Sequence, residues 1–178
     1  MKKILAFAGS NSSTSINQKL LENITGRIQG HELQMIKLTD YPLPIYSQDI
    51  EDNEGFPENV QKIANFIAEA DGLVIAVNEH NGTVSAFFKN ILDWLSRNER
   101  NFLANKKILL ISTSPGQRGA KGALEYSQGI LGRFGGDVIE SFSFPSFKDN
   151  FTDNKVTNEV LDMGIADVLT TFAHQIDE

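Results

Sequence analysis

Three stretches of the chain consist almost entirely of apolar residues, and each is only six residues long. They are Lys3–Ala8 (KILAFA), Gly72–Val77 (GLVIAV) and Lys107–Ser112 (KILLIS). A strand that is apolar on both faces needs cover on both faces, which is typical of a parallel sheet between two layers of helices. These segments predict an α/β architecture more strongly than any other feature of the sequence.

Two weaker segments and five amphipathic segments extend this pattern. Leu33–Leu38 and Asp137–Phe144 have the length and apolar content of strands. Apolar residues recur at helical spacing in five stretches: Asn17–Ile28, Asn59–Ala70, Ser85–Arg97, Gly122–Phe134 and a part of Thr152–Ile176. Five strands that alternate with five helices predict one domain over residues 1–178. We expect a three-layer flavodoxin-like sandwich with a five-stranded parallel sheet in the order 2-1-3-4-5 and helices on both faces.

One stretch between the second strand and the second helix fits neither pattern. Thr39–Pro57 contains three prolines and five acidic side chains, and we call it the acidic segment. We predict a long loop here. Loops longer than about 12 residues in compact domains tend to be functional.

Composition narrows the possible functions. The 178 residues carry 23 acidic and 16 basic side chains, a net charge of −7, which argues against nucleic acid as the main partner. The chain has no cysteine and only three scattered histidines, so disulfides are excluded and no metal site is predicted. No apolar run has the length of a membrane helix or of a signal-peptide core. We expect a cytoplasmic protein that does not bind membranes.

The predicted sheet order also predicts where a ligand binds. In such folds the winding reverses between strands one and three, and ligands bind beyond the carboxyl ends of the strands. Three loops meet that description, and each is rich in Gly, Ser, Thr or Asn: Gly9–Asn17, Asn78–Ser85 and Thr113–Gly119. We call them the first, second and third loops.

The first loop, GSNSSTSIN, joins a buried strand to a helix, so its backbone N–H groups lie at a helix N-terminus. That position favours an anion, and hydroxyls surround it at Ser10, Ser12, Ser13, Thr14 and Ser15. The loop has no lysine and lacks the glycine spacing of a dinucleotide fingerprint, so it suits a terminal monophosphate held by neutral donors. The alternative is a polar turn in which Ser15 or Thr14 caps the helix.

The second loop contains the polar stretch NEHNGT directly after the GLVIAV strand. Asn81-Gly82 favours a tight turn that exposes backbone amides, and such amides can hydrogen-bond the polar edge of a flat heterocycle. Glu79 and His80 would lie beside the first loop, although a single histidine is more often a bystander than a catalyst. Trp94, on the helix that follows, is expected to be a core residue.

The third loop combines small residues with two cations. The small residues would allow a planar ligand to approach the backbone closely; they are Ser114, Pro115, Gly116 and Gly119. Arg118 and Lys121 stand out in an acidic chain and could meet the phosphate or ribose of a second, anionic substrate. The alternative is a solvated loop at the start of a helix.

With these loops the sequence resembles the NADPH-dependent FMN reductase family of flavodoxin-like flavoproteins, from its start to about Phe151. The first loop is similar to the family pattern G-S-x-R-x-x-S-x-N, with Ser12 in place of the arginine. The second loop and the helix after it are similar to P-E-Y-N-x-S-x-P-x-x-L-K-N-x-x-D-W, and the tail Lys89-Asn90…Asp93-Trp94 carries most of the resemblance. Three positions replace proline, tyrosine and proline of that pattern: Asn78, His80 and Ser85.

The resemblance implies an oxidoreductase that binds FMN and uses NADPH or NADH. It implies FMN phosphate on the first loop and the isoalloxazine ring on the second and third loops. The implied cofactor-binding residues are Ser10, Ser12, Ser15, Ile16, Asn17, Asn78, Glu79, His80, Asn81, Gly82, Ser114, Pro115, Gly116 and Gly119. The flavin would carry the chemistry, so no catalytic side chain is predicted. Arg118, Lys121 and Phe87 are candidate substrate contacts.

The leading hypothesis is hydride transfer from NAD(P)H through bound FMN to a small acceptor: a quinone, an azo or nitro compound, chromate or free flavin. One alternative is a flavodoxin-like electron carrier without NAD(P)H turnover, and another is a regulatory domain without flavin. The resemblance also implies a homodimer or homotetramer. The C-terminal helix and the aromatic segment Phe142–Phe151 are candidates for its interface, although those aromatic rings could equally belong to the core.

Overall fold

Strands and helices alternate along residues 1–178, all of which the computed structural model describes. The strands are β1 (Lys3–Ala8), β2 (Glu32–Met35), β3 (Gly72–Val77), β4 (Glu79–His80), β5 (Thr83–Val84), β6 (Lys107–Thr113), β7 (Asp137–Phe144), β8 (Phe151–Thr152) and β9 (Lys155–Val156). The helices are α1 (Ile16–Thr25), α2 (Gln48–Glu54), α3 (Glu58–Glu69), α4 (Ala86–Asn98), α5 (Lys121–Arg133), α6 (Phe147–Asn150) and α7 (Glu159–Asp177). No helix has the length and apolar character needed to cross a membrane.

Five of the strands form one parallel sheet in the order β2-β1-β3-β6-β7. This is the predicted order, because β4 and β5 pair with each other in a separate antiparallel hairpin. Ile4 pairs with Leu33 on one side and with Gly72 on the other, so β1 lies between β2 and β3. The doubly wound α/β fold is confirmed, and its winding reverses between β1 and β3.

β3 contains no polar residue because its side chains enter two separate cores. Leu73, Ile75 and Val77 pack with residues of α3, α4 and α5 on one face of the sheet. Val74 and Ala76 pack with residues of α1 and α7 on the other face. Every residue of β3 is buried. The central strand is thus covered on both sides, as the apolar segments predict.

The acidic segment is not a plain loop, contrary to the prediction. It contains a 3-10 turn at Leu38–Asp40 and the helix α2, which has Asp49 and Glu51 in its first turn, where negative charge favours a helix. The sequence analysis missed α2 because none of its residues is buried, so it has no apolar periodicity. β2 is also shorter than predicted. It ends at Met35, and Ile36 is buried just beyond the strand.

The aromatic segment after β7 is part of the core. Phe144, Phe147 and Phe151 are buried and contact one another, with ring centroids 4.6 Å apart for the stacked pair Phe147 and Phe151. They are held by α6 and by the hairpin β8–β9, two short elements that the sequence analysis did not predict. These three rings are therefore occupied within one chain. The oligomeric state itself stays a prediction of the resemblance.

Candidate functional site

The three loops converge at the carboxyl edge of the sheet. Gly9, which opens the first loop, donates its backbone N–H to the carbonyl oxygen of Ala76 in β3 at 2.8 Å. When the register of the paired strands is continued past their ends, Ser10 aligns with Asn78 and Thr113. The three loops chosen from the sequence therefore lie on three adjacent strands, on both sides of the point where the winding reverses.

Asn17 joins the first loop to the third with its side chain. Its Nδ2 donates to the carbonyl oxygen of Thr113 at 3.1 Å, and its Oδ1 accepts the Thr113 N–H at 3.0 Å. Both ends of this buried carboxamide are thus used within the protein. The backbone N–H of Asn17 has no acceptor in the protein and is free to contact a ligand.

The first loop lines a cleft of about 520 Å³ at the N-terminus of α1. Its polar residues face the cleft together: Ser10, Asn11, Ser12, Ser13, Thr14 and Ser15. Ser15 caps the helix, because its Oγ accepts the N–H of Gln18 at 3.2 Å, while its hydroxyl proton is left to donate. The N–H groups of Ile16 and Asn17 have no acceptor. Hydroxyls and free helix N–H groups together suit an anion.

Two lysines line the same cleft, and the sequence analysis did not foresee them. Lys19 lies in the first part of α1, and Lys37 follows β2. The pairing of Ala6 with Met35 brings Lys37 beside the end of β1. Neither lysine is in an ion pair. The first loop has no cation, so the two lysines bring positive charge to a cleft that the acidic residues Glu22 and Asp40 also line.

The second loop is folded as the hairpin β4–β5, with Asn81 in the left-handed region (φ 53°) at its turn. Glu79 points to α5, where its Oε2 accepts the N–H of Ala123 at 3.0 Å. This carboxylate replaces a capping side chain, since Ala120 at the N-cap has none. Gly122 makes room for the contact, because a Cβ there would lie 2.8 Å from the Glu79 carboxylate. The Glu79 side chain therefore holds α5, and cofactor binding by Glu79 stays a prediction.

Asn78 and His80 lie at the base of this hairpin. Asn78 is only 9% exposed, and its Nδ2 lies 3.4 Å from the Nε2 of His80. The Oδ1 of Asn78 is closed to solvent and has no hydrogen-bond partner. His80 is exposed and faces a second cleft, of about 500 Å³. The other residues that line this cleft are Asn81, Thr83, Val84, Ala86, Lys89 and Tyr126.

The third loop is held against β7. Gly119 has a positive φ of 55°, and a Cβ there would lie 2.9 Å from the backbone of Phe144. Its missing side chain thus permits close packing against β7, and the approach of a ligand at Gly119 stays a prediction. Gly116 is exposed and its N–H is free, whereas its carbonyl oxygen accepts the N–H groups of Gly119 and Ser146. Arg118 is exposed and unpaired, whereas Lys121 lies beside a carboxylate one turn along α5.

Three aromatic residues of α4 face the core. Phe88 and Trp94 are fully buried, as expected. Phe87 is half-buried against the same core, and its role as a substrate contact stays a prediction. The polar groups of the three loops, not these rings, therefore dominate the carboxyl edge of the sheet.

Comparison with known proteins shows which family the chain belongs to. The family model described as NADPH-dependent FMN reductase matches residues 2–149. The chain belongs to this family. It is therefore an oxidoreductase, and FMN and NAD(P)H are its cofactors. The resemblance inferred from the loops is confirmed.

Relatives of this family member are named for related activities. A quinone reductase of Escherichia coli is 37% identical over 131 residues, which cover 72% of this chain and 68% of the relative. An NAD(P)H-dependent FMN reductase of Pseudomonas aeruginosa is 29% identical over 66% of this chain and 62% of its own length. The solved structure of a flavoenzyme NAD(P)H:(acceptor) oxidoreductase from Paracoccus denitrificans superposes with a TM-score of 0.81 at 25% identity, covering 99% of this chain and 98% of its own.

The family pattern on α4 fastens the acidic segment. Asn90 uses both ends of its carboxamide: Nδ2 donates to the carbonyl oxygen of Pro44 at 2.9 Å, and Oδ1 accepts the N–H of Tyr46 at 2.8 Å. The Nε1 of Trp94 donates to the same Pro44 oxygen at 2.8 Å. The residues that carried most of the sequence resemblance therefore hold a neighbouring segment of backbone.

Arg97, at the end of the same helix, fastens α2. Its Nε and Nη2 each donate to the carboxylate of Glu51 at 2.9 Å, and the Tyr46 hydroxyl donates to that carboxylate at 2.8 Å. The hydrogen bonds from Arg97 lower the pKa of Glu51, and the bond to Glu51 raises the pKa of Tyr46. The acidic segment, whose Thr39 and Asp40 line the first cleft, is thus tied to α4 at two places.

The residues present fit FMN. The first cleft offers hydroxyls and two lysines to a phosphate, and the free N–H groups at the N-terminus of α1 lie beside it. The exposed turn of the hairpin and the open backbone at Gly116 offer polar groups to a ring. The unpartnered Oδ1 of Asn78 is a further polar atom at the same edge of the sheet. No metal ligand set is needed for such a cofactor.

Proposed function

We propose that the chain is an FMN-dependent NAD(P)H oxidoreductase that passes a hydride to a small acceptor such as a quinone, an azo or nitro compound, chromate or free flavin. The observation that supports this most is the first cleft. Serine and threonine hydroxyls and two unpaired lysines line one space together with Glu22 and Asp40. The free N–H groups of Ile16 and Asn17 lie at the helix N-terminus beside it. Such a set matches the doubly charged phosphate of FMN.

The first loop binds the phosphate through its backbone and hydroxyls. Ser10 and Ser12 already accept N–H groups of the loop itself, with Ser10 accepting from Ser12 and Ser12 from Thr14, each at 3.3 Å. These bonds use the hydroxyl oxygens as acceptors. The Ser10 proton is left to donate, while the Ser12 and Thr14 hydroxyls also lie 3.3 Å from each other and share one proton between them. The loop is therefore shaped before the ligand arrives, which lowers the entropic cost of binding.

The second and third loops orient the ring. Asn81 at the hairpin turn and Gly116 in the third loop expose backbone groups on either side of the carboxyl edge. FMN when bound supplies the hydride chemistry, so these residues contribute position and hydrogen bonds instead of acid or base groups. Arg118 is the cation best placed for the nicotinamide nucleotide, because Lys121 is paired with a carboxylate.

The test is anaerobic titration of the FMN-loaded protein. We expect NADPH or NADH to bleach the yellow colour of the bound flavin, and a quinone or azo dye to restore it, with ping-pong kinetics in steady state. Protein that takes up no FMN would contradict the proposal. Protein that binds FMN tightly but is not reduced by either nucleotide would instead support the electron-carrier alternative.

A further inference from the structure

The carboxamide of Asn78 is the least satisfied polar group at the carboxyl edge of the sheet. It is nine-tenths buried, and its Oδ1 meets neither a donor nor solvent. Its Nδ2 has a single long contact, 3.4 Å from the Nε2 of His80. A buried acceptor without a donor destabilises a folded chain, so such a group in the middle of a functional site needs a reason.

A second asparagine at the same edge of the sheet has hydrogen-bond partners at both ends of its carboxamide. Asn17 is also buried, and it pairs at both ends with the backbone of Thr113. In the continued strand register Asn78 lies between Ser10 and Thr113, where the first and third loops meet. The fold thus has partners for one carboxamide and leaves the other without one.

Proline stands at this position in the family pattern, and a proline side chain has no hydrogen-bonding group. An acceptor requires a donor, and the polar edge of an isoalloxazine ring carries N–H groups. The single hydrogen bond that a rotation of the Asn78 side chain would break is its long contact with His80.

We propose that Asn78 is a positioning residue that accepts a hydrogen bond from a ring N–H of bound FMN. This inference rests on the proposed function, since it needs FMN at this edge of the sheet. It predicts two effects that would not be seen if Asn78 had only a structural role. Without ligand, replacement of Asn78 by an apolar residue of similar size stabilises the protein, and with FMN the same replacement weakens binding.

The experiment compares wild type with Asn78→Leu and, in case leucine packs badly, Asn78→Ala. For Asn78→Leu we expect the ligand-free melting temperature to rise by about 2–4 °C and the Kd for FMN to rise about tenfold in at least one of its two redox states. The matched control is Asn23→Leu on α1. Asn23 pairs at both ends, with Asn154 and Arg27, so its replacement lowers the melting temperature and leaves the FMN affinity unchanged.

The midpoint potential of bound FMN shows which N–H is used. The ring carries an N–H at N3 in both redox states and an N–H at N5 only after two-electron reduction. If Asn78 pairs with N3, oxidised and reduced FMN both bind about tenfold more weakly to the Asn78→Leu variant. The midpoint potential of the bound FMN is then unchanged. If it pairs with N5, reduced FMN alone is weakened, and a tenfold loss lowers the potential by about 30 mV.

Three outcomes would overturn the inference. Unchanged FMN affinity and potential in both Asn78 variants would remove the contact with the ring. A lower melting temperature in both ligand-free variants would make Asn78 a structural residue. Wild-type protein that binds no FMN would overturn the proposed function itself, and this inference with it.

Discussion

Single residues of the first cleft come from separate parts of the chain. Lys37 is 22 positions after Ser15, yet both line the same cleft. They meet because β2 pairs with β1 in parallel and ends at Met35, which leaves Lys37 free of the sheet. The sequence analysis placed Lys37 inside a longer strand and so gave it no role. A correct prediction that β2 ends at Met35 would have placed Lys37 beyond the strand, at the edge of the sheet where the first loop lies.

We predict that Lys37→Gln weakens FMN more than riboflavin. The lysine is unpaired and lines the phosphate cleft, so its charge stabilises the phosphate but not the ring. Loss of one charge-assisted contact is expected to raise the Kd for FMN about tenfold and to leave the Kd for riboflavin unchanged. Fluorescence titration with both ligands measures this.

Lys155→Gln is the control for Lys37, because Lys155 on β9 is exposed, unpaired and outside the cleft. It removes the same charge from the same chain. Equal weakening of FMN by both variants would mean that the effect comes from net charge alone, and the role of Lys37 would be withdrawn.

At the scale of elements, α4 and the acidic segment behave as one unit. Asn90 and Trp94 hold the backbone at Pro44 and Tyr46, and Arg97 holds Glu51 of α2. The pattern Lys89-Asn90…Asp93-Trp94 therefore predicted the family correctly, but its asparagine and tryptophan act on a neighbouring element. A spacing pattern in the sequence indicates which side chains share a face of a helix. It does not indicate which element that face contacts.

We predict that the ion pair between Arg97 of α4 and Glu51 of α2 stops stabilising the protein in acid. Arg97 lowers the pKa of Glu51, and a carboxyl group with a depressed pKa stabilises the folded state above its unfolded pKa. That contribution is lost as the pH falls below about 4. Urea unfolding between about pH 6 and pH 3 measures this. The free energy of unfolding of Glu51→Gln should be lower than that of wild type near pH 6, and the difference between the two proteins should become smaller as the pH falls.

Glu54→Gln serves as the control for this pH profile, since Glu54 is an exposed acid on the same helix without a partner. Its profile should follow that of wild type. A constant difference between wild type and Glu51→Gln across the whole range would show that the charge of Glu51 contributes nothing to the stability of the protein.

At the scale of the whole molecule, the site depends on links between loops that are far apart in the chain. Asn17 ties α1 to the end of β6, and Glu79 ties the hairpin to α5. The loops that line the site are thus cross-linked by side chains that the sequence analysis assigned to the cofactor. Their position beside the site was predicted; their partners within the protein were not.

Asn17→Ala tests this coupling. The change leaves the N–H and carbonyl of Thr113 without partners in a buried place, so we expect a loss of about 2–4 kcal/mol in the free energy of unfolding. FMN affinity should fall as well, because the first and third loops separate. Chemical denaturation and FMN titration measure the two effects. Asn65→Ala, an exposed change on α3, should alter stability by less than about 0.5 kcal/mol; an equally small effect at Asn17 would disprove the coupling.

The amino-acid sequence by itself determined the sheet, its strand order and the three loops, because burial on both faces requires continuous apolar strands and the alternation with helices permits few topologies. It also determined the family, through the residues of the first loop and α4. Tertiary structure alone decided that Lys37 lies beside the first loop, that Glu79 caps α5 and that the oxygen of Asn78 has no partner. These contacts depend on strand register and on the packing of helices across the sheet, which no local spacing of residues encodes.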